Sequence, residues 1–231
     1  MSARAGVSAR PRPVPSLQAR PRVRGTAASR AVKRGFDLAL SGAGLIASAP
    51  LWLLISLAIW LEDRGPVFYR QERSGLGGVS FVAFKFRSMI PEAEAVVGAV
   101  QAKEADPRVT RVGRLLRATA MDELPQLWNI FRGDMSFVGP RALRPGEIEA
   151  TGDGRVEMLE DVPGFAERSS VRPGLTGVAQ VFAPRDVPRR LKFRYDRLYV
   201  RRCSFGLDVR LVLLSFWISL RGTWEVRGRK F

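Results

Sequence analysis

The sequence contains no histidine and only one cysteine, Cys203. The absence of histidine excludes histidine-based catalytic triads, histidine general bases and histidine metal sites. A single cysteine excludes an internal disulfide and a thiolate metal cluster. Any catalysis therefore depends on Asp, Glu, Lys, Ser, Thr or Tyr, with a hard metal ion on carboxylates as one option.

Negative charge is also scarce in this chain. The 231 residues include 38 Lys and Arg but only 22 Asp and Glu, which gives a formal net charge of +16. Apolar residues make up 46%, enough for a folded domain with a core. The positive excess indicates a polyanionic partner: nucleic acid, anionic lipid or a phosphorylated substrate.

The N-terminal segment has few large apolar groups. Residues 1–34 carry nine basic residues and no acid, among many prolines, serines and alanines. Such a composition does not bury enough surface to offset its ordering entropy, so we predict a disordered basic arm over residues 1–32. An organelle transit peptide has a similar composition and ranks second.

A long uncharged run follows the arm. Leu38–Leu61 contains 24 residues without a charge. As a helix it would be about 36 Å long, against a hydrocarbon core of about 30 Å. The run is too long for a signal peptide and too uniformly apolar for an ordinary core helix. We therefore predict a membrane helix over residues 33–62.

Pro50 lies in the middle of this run and removes one backbone donor, so the helix should bend there. Ser48 is placed to bond a freed carbonyl. A kinked crossing helix and a re-entrant helix both fit this pattern. The basic arm should stay cytoplasmic. If the following domain uses nucleotides, it is cytosolic too, and on that condition we favour a re-entrant helix.

Residues 66–89 predict a β-hairpin, because two runs rich in aromatic and β-branched residues flank a glycine-rich turn from Gly75 to Gly78. Alternation places Lys85 and Arg87 on the same face of the second strand. That face either binds an anion or is simply solvated.

Two adjacent carboxylates, Asp122 and Glu123, interrupt a strongly basic region. The stretch "TAMDELPQLWNIF" predicts a helix start, with Thr119 near the capping position and Pro125 at or near the first turn. The acids there either stabilise the helix dipole or belong to a phosphate-handling site. The basic side chains near them are Arg114 and Arg117 before the pair, and Arg141 and Arg172 in Pro/Gly turns after it.

Six ordered motifs resemble the bacterial sugar transferases, the monotopic phosphoglycosyl transferases that begin exopolysaccharide, O-antigen or glycoprotein glycan synthesis. They are "KRGFDLAL…SAPL", "GPVFYRQERSG", "FKFRSM", "DPRVTRVGRLLR", "DELPQLWNIFRGDMSFVGPR" and "RPGLTGVAQV", and the resemblance covers about residues 33–220. With this family in view, we expect an α+β, mostly helical fold. It would comprise the re-entrant helix, broken near Ser48 and Pro50, and a compact cytosolic domain over residues 63–231 with a small antiparallel hairpin and amphipathic interfacial helices.

The resemblance implies a reaction and roles for the residues. A sugar 1-phosphate would pass from a UDP-sugar to polyprenyl (undecaprenyl) phosphate, with release of UMP and with Mg2+ as cofactor. Asp122 would attack phosphorus and form an aspartyl-phosphosugar intermediate, while Glu123 orients Asp122 or shares the metal. The expected phosphate-binding residues are Lys85, Arg87, Arg114, Arg117, Arg141 and Arg172.

The resemblance also implies partners and a location. We expect a bacterial inner (cytoplasmic) membrane protein whose catalytic domain faces the cytosol and contacts anionic lipids. Nucleic acid is not an expected partner, and the oligomeric state, monomer or homodimer, stays open. Many members have Trp at Val178 and Asn-Gly at Phe182-Ala183. These departures leave the choice of sugar open.

Two rival functions remain from the sequence. One is a membrane-attached basic protein that binds anionic lipid or nucleic acid without catalysis, which predicts salt-dependent binding that is indifferent to Asp122 and Glu123. The other is a glycosyl transferase that acts on a lipid-linked acceptor and releases UDP rather than UMP. The nucleotide product separates the two transferase hypotheses.

Overall fold

The computed structural model describes residues 26–93, 106–150, 156–184 and 187–224. Its first element is helix α1, Ala27–Asp63, which Thr26 caps by accepting a hydrogen bond from the Ser29 amide at 3.2 Å. The helix thus begins inside the segment that we predicted to be disordered. The prediction was wrong for residues 27–32, while residues 1–25 lie outside the described residues.

Helix α1 runs unbroken through Pro50, so the predicted break near Ser48 and Pro50 does not divide it into two helices. The Ser48 hydroxyl accepts a hydrogen bond from Trp52 Nε1 at 3.0 Å. Within the described part of the chain, α1 is the one helix long and apolar enough to cross a membrane. Its re-entrant course stays a prediction.

Both ends of α1 pack on the same folded domain. Near its start, Lys33 Nζ lies 2.6 Å from Asp208 Oδ2, and Asp37 Oδ1 accepts a hydrogen bond from the Phe137 amide at 3.0 Å. At its end, Asp63 pairs with the guanidinium of Arg87. The long helix is therefore tied to the domain at two separated points.

The predicted hairpin is confirmed. Strands β1, Phe68–Ser74, and β2, Ser80–Phe86, pair antiparallel, with Tyr69 opposite Lys85, and a short 3-10 turn lies between them. Phe86 is buried against Ile55 and Ile59 of α1. This packing fixes β2, and with it the position of Lys85.

Two short helices flank the carboxylate pair. Helix α2, Arg111–Thr119, begins at the Thr110 cap and ends at Ala120, which adopts a left-handed conformation (φ 56°). Helix α3, Gln126–Arg132, follows Pro125. The predicted helix start near Thr119 was wrong, because Thr119 ends α2 and its hydroxyl donates to the Leu115 carbonyl at 2.8 Å. Asp122 and Glu123 lie in a 3-10 turn between the two helices.

The rest of the domain adds two small sheets and four helices. Their bounds are β3 (Ser136–Val138), β4 (Ile148–Ala150), β5 (Val156–Met158), α4 (Phe165–Arg168), β6 (Gly174–Thr176), α5 (Val178–Phe182), α6 (Arg189–Arg202) and α7 (Phe205–Arg221). Strand β3 pairs parallel with β6, and β4 pairs antiparallel with β5. Directly after β3, a Cβ on Gly139 would lie 2.3 Å from the Arg172 carbonyl oxygen, so only glycine fits at this position.

Helix α7 carries apolar side chains on two opposite sides. Leu211 and Ile218 are fully buried in the main core, which Ile130 of α3 also joins. The opposite side of α7 exposes a row of apolar side chains: Leu213, Phe216, Trp217 and Leu220. The expected amphipathic interfacial helices stay a prediction. Helices hold more than half of the described residues, which confirms the mostly helical α+β class.

Candidate active site

Asp122 and Glu123 lie in the wall of a cavity of about 1130 Å³. Ala120 adopts a left-handed conformation that ends α2 and turns the chain. Asp122 and Glu123 therefore lie in the turn after the helix and not within it. Asp122 is 9% exposed, which is unusual for an acidic residue without a close ion pair. The burial makes this pair a candidate centre of chemistry rather than a solvated helix end.

Lys85 of β2 reaches the same wall and contacts the two acids unequally. Its ammonium hydrogen-bonds Glu123 Oε1, whereas Asp122 Oδ2 lies 4.0 Å away. Arg141 Nη2 lies 3.7 Å from Glu123 Oε1. The cations therefore hold Glu123 closely and leave Asp122 with one long ion pair, to Lys85.

This unequal pairing separates the acidities of the two carboxyls. Burial, together with the Glu123 charge, raises the pKa of Asp122 to about 6, although Lys85 and Arg117 oppose the rise. Burial alone would also raise the pKa of Glu123, but Lys85 and Arg141 outweigh it and lower that pKa to about 2. Adjacent acids with such different environments are suited to different roles.

The structure brings three of the predicted basic residues to the dyad. Lys85, Arg117 and Arg141 line the cavity, and their charges act on Asp122. They come from β2, the last turn of α2 and the loop after β3, three segments far apart in sequence. Their convergence gives one cavity wall a strong positive potential around two carboxylates.

The other three predicted basic residues are placed differently. Arg87 is buried, and its guanidinium is bound by Asp63 and by the Pro66 carbonyl, with Nη1 2.6 Å from Asp63 Oδ2. Arg114 is exposed on α2 and does not line the cavity. Arg172 also lies outside the cavity. Its Nε donates a hydrogen bond to the Gly133 carbonyl at 2.8 Å. Arg87 nevertheless lines the cavity, whereas Arg114 and Arg172 do not. The substrate contacts expected of these three residues stay predictions.

Sequence reasoning missed several basic residues that line the cavity. Arg168 forms a buried ion pair with Asp196 at 2.9 Å and also donates to the Arg141 carbonyl, so it fixes the backbone that carries Arg141. Further missed residues are Arg73, Arg144, Arg189 and Lys192. Their only sequence signal is their charge, because the fold alone brings them together from distant segments.

Apolar side chains line other parts of the cavity. Leu51 of α1 and Phe216 and Leu220 of α7 belong to its walls, and the last two are also exposed to the surroundings. Ala183 lines the cavity, whereas Val178 is buried in the core. A space with a basic end and apolar walls suits a ligand that is part phosphate and part hydrocarbon.

Asp122 and Glu123 fit a magnesium site that protein and substrate ligands complete together, rather than a site made of protein ligands alone. No group of three or more His, Cys, Asp or Glu residues that could hold a metal occurs within the described ranges. Mg2+ is commonly held by one or two carboxylates together with substrate phosphates and water. Asp122 and Glu123 therefore fit Mg2+ only if a phosphorylated substrate completes its shell.

Comparison with known proteins gives consistent matches over most of the chain. A family model described as bacterial sugar transferase matches residues 28–222. The chain is 42% identical over 190 residues to the undecaprenyl-phosphate glucose phosphotransferase of Komagataeibacter xylinus, a match that covers 79% of this chain and 35% of that protein. The chain thus spans about a third of that relative's length.

Two further relatives match at similar levels. The chain is 40% identical over 188 residues to the exopolysaccharide production protein PSS of Rhizobium leguminosarum bv. phaseoli, covering 78% of this chain and 91% of that protein. It is 41% identical over 186 residues to the UDP-glucose:undecaprenyl-phosphate glucose-1-phosphate transferase of Caulobacter vibrioides, covering 78% and 67%. The family-model match over residues 28–222 includes every cavity-lining residue named above.

Proposed function

The chain belongs to the bacterial sugar transferase family, and from that premise we propose that it is a phosphoglycosyl transferase. It moves a sugar 1-phosphate from a UDP-sugar to polyprenyl phosphate and releases UMP. Several relatives are named as UDP-glucose:undecaprenyl-phosphate glucose-1-phosphate transferases. The observation that carries the proposal is the buried Asp122 carboxylate among Lys85, Arg117 and Arg141.

Asp122 is the nucleophile in the proposed first step. One of its oxygens forms a bond to the phosphorus that carries the sugar, and the bond from that phosphorus to the bridging oxygen breaks. The electron pair stays on the bridging oxygen, which leaves as part of the UMP phosphate. With a pKa of about 6, Asp122 is ionised at neutral pH and needs no base to activate it.

Glu123 and Lys85 support this step without reacting. The Lys85 ammonium and Arg141 hold Glu123 in place, and their charges also favour the approach of an anionic donor. In the second step, an oxygen of polyprenyl phosphate attacks the aspartyl-bound phosphorus. The bond to Asp122 breaks, its carboxylate is restored, and the lipid-linked sugar diphosphate is the product.

Mg2+ is the proposed cofactor, held by Asp122 and Glu123 and completed by donor phosphate oxygens. When bound, it offsets the negative charge of the diphosphate. The basic residues of the cavity act in the same direction. Their contribution is fixed by the fold and does not depend on the ion.

The proposed location is the cytosolic face of the bacterial inner membrane. Helix α1 exposes large apolar side chains, such as Ile46 at 80% and Leu53 at 73%, which suits contact with lipid. Both of its ends pack on one domain, through Lys33–Asp208 and Asp63–Arg87. This supports a helix that enters and leaves on one side, next to anionic lipids. The proposed role is to start exopolysaccharide or related glycan synthesis, and one relative named for exopolysaccharide production supports it.

The decisive assay uses purified full-length protein with polyprenyl phosphate, Mg2+ and a panel of UDP-sugars. We expect release of UMP, loss of turnover in Asp122→Asn and normal turnover in Asp161→Asn, a matched change at an exposed position. Release of UDP would support a glycosyl transferase instead. Salt-sensitive lipid or nucleic-acid binding with no nucleotide product would support the non-catalytic rival.

A further inference from the structure

We propose that Arg73, Arg144 and Arg189, next to Arg141, form a second anion subsite that binds the phosphate of the departing nucleotide. This inference rests on the proposed function, because it assigns one part of the same cavity to one product. All four residues line the cavity. None of Arg73, Arg144 and Arg189 was expected from the sequence motifs.

The hairpin supplies Arg73 and holds it against the loop that carries Arg141. Arg73 Nη1 donates to the Ala142 carbonyl at 3.0 Å, and the Ser74 amide donates to the Leu143 carbonyl at 2.8 Å. Two adjacent residues of β1 thus bind two adjacent residues of the loop. The guanidinium of Arg73 is therefore fixed beside Arg141 and Arg144.

Glu147 links the other two arginines. Its Oε2 accepts a hydrogen bond from the Arg144 amide at 3.1 Å, and its Oε1 lies 2.9 Å from Arg189 Nη2. The Arg189 amide also donates to Glu149 at 2.6 Å, which anchors the start of α6 at this end of the cavity. The Glu147 carboxylate therefore binds the backbone of Arg144 and the guanidinium of Arg189, which come from separate segments of the chain.

Positive charge exceeds negative charge over the cavity lining as a whole. Among the described residues that line the cavity, ten are basic and five are acidic. Burial lowers the pKa of Arg73 to about 10, and repulsion from Arg141 and Arg144 adds to the shift. Burial also lowers the pKa of Arg189, although Glu147 opposes it. A bound dianion would relieve this repulsion, and planar guanidinium groups suit phosphate oxygens.

The position of this cluster relative to the dyad assigns it to the departing phosphate. Arg73 acts on Glu123, whereas Arg117 acts on Asp122 from the side of α2. Arg73 and Arg141 also line one small pocket together with Glu123, so the cluster lies on the Glu123 side of the dyad. When Asp122 bonds to the sugar-bearing phosphorus, the departing oxygen leaves in line on the far side and its phosphate gains negative charge. Arginines placed there stabilise that charge as it forms.

Ligand binding tests this subsite without turnover. We would measure the affinity of the full-length protein in detergent for UMP and for uridine, which lacks the phosphate. We expect Arg144→Gln and Arg189→Gln each to weaken UMP binding about tenfold, the effect of losing one charged hydrogen bond of about 1.4 kcal/mol. Uridine binding should not change. Arg194→Gln, an exposed arginine on α6 outside the cavity, should leave both affinities unchanged.

The contrary outcomes are distinct from failure of the proposed function. Unchanged UMP affinity in both variants, or equal weakening of UMP and uridine, would overturn the subsite. So would a selective increase in KM for polyprenyl phosphate, which would assign the cluster to the acceptor. If Arg189→Gln does not fold, Arg144→Gln alone decides the matter. A wild-type enzyme that releases no UMP from any UDP-sugar would instead refute the proposed function itself.

Discussion

The Nζ atom of Lys85 lies 4.0 Å from Asp122 Oδ2. This separation is too long for a hydrogen bond and short enough for a substantial attraction in a buried site. Lys85 thus favours the ionised form of Asp122 without occupying its oxygens. A carboxylate that this cation attracts without a hydrogen bond keeps lone pairs available for attack on phosphorus.

The pH dependence of the first step should report Asp122. Because burial raises its pKa to about 6, UMP release should fall as the pH drops below about 6, where the carboxylate becomes protonated and loses its nucleophilic form. Lys85 lowers this pKa, so Lys85→Met should move the acid limb of the rate profile to higher pH. Rates of UMP release between pH 4.5 and about 8.5 check this. If the acid limb of the Lys85→Met profile lies at the same pH as that of wild type, the role given to Lys85 is refuted.

The raised pKa of Asp122 predicts that its ionised carboxylate lowers the free energy of unfolding at neutral pH. The folded-state pKa of about 6 lies above the ordinary 3.8, so this carboxyl stabilises the fold most below pH 3.8. That contribution is lost as the pH rises through 6. Asp122→Asn should therefore be more stable than wild type at pH 8, by at most about 3 kcal/mol, with the gap shrinking towards pH 4. Thermal unfolding in detergent measures this, and a less stable variant at pH 8 would contradict it.

Arg87 should be a structural residue that joins the end of α1 to β2. Its guanidinium binds Asp63 and is nearly buried, while Asp63 keeps about a quarter of its side chain exposed. Arg87→Met should destabilise the fold by about 2 kcal/mol, less than for fully buried pairs, and leave the KM for the UDP-sugar unchanged. Arg202→Met, an exposed change, is the matched control. A large increase in KM at unchanged stability would support the substrate contact predicted from sequence.

Labelling should place both ends of α1 on one side of the membrane. Cysteines at Ser29 and Arg64, both exposed and beyond the apolar run, would be introduced after replacement of Cys203. Both should react with an impermeant reagent from the same side of sealed vesicles, because Lys33 and Asp63 both bind the same domain. Reaction from opposite sides would mean that α1 crosses the bilayer.

Sequence reasoning succeeded where the pattern is local. The hairpin over residues 66–89 followed from alternation and a glycine turn. The strand pattern left Lys85 as either an anion-binding or a solvated residue, and only the family resemblance singled it out. The carboxylate pair stood out by charge contrast alone. The error at Thr119 arose because a threonine before acidic residues also fits a helix start. The left-handed conformation of Ala120, which ends α2 there, has no signal in an alanine.

The remaining site residues depend on contacts between distant segments. Arg114 and Arg117 are three residues apart on α2, so they point about 60° apart and only Arg117 faces the cavity. Arg73 and Arg189 reach the same cavity end from β1 and α6. Such convergence is set by tertiary packing, which the order of residues along the chain does not reveal.

Mass spectrometry after incubation with a UDP-sugar, without polyprenyl phosphate, tests the central claim most directly. Asp122 should carry the mass of a sugar phosphate, located by fragmentation in the peptide of residues 118–132 between the cleavage sites after Arg117 and Arg132. Addition of polyprenyl phosphate should remove it, and Asp122→Asn should never acquire it. Release of UMP with no adduct on this peptide would contradict the covalent mechanism.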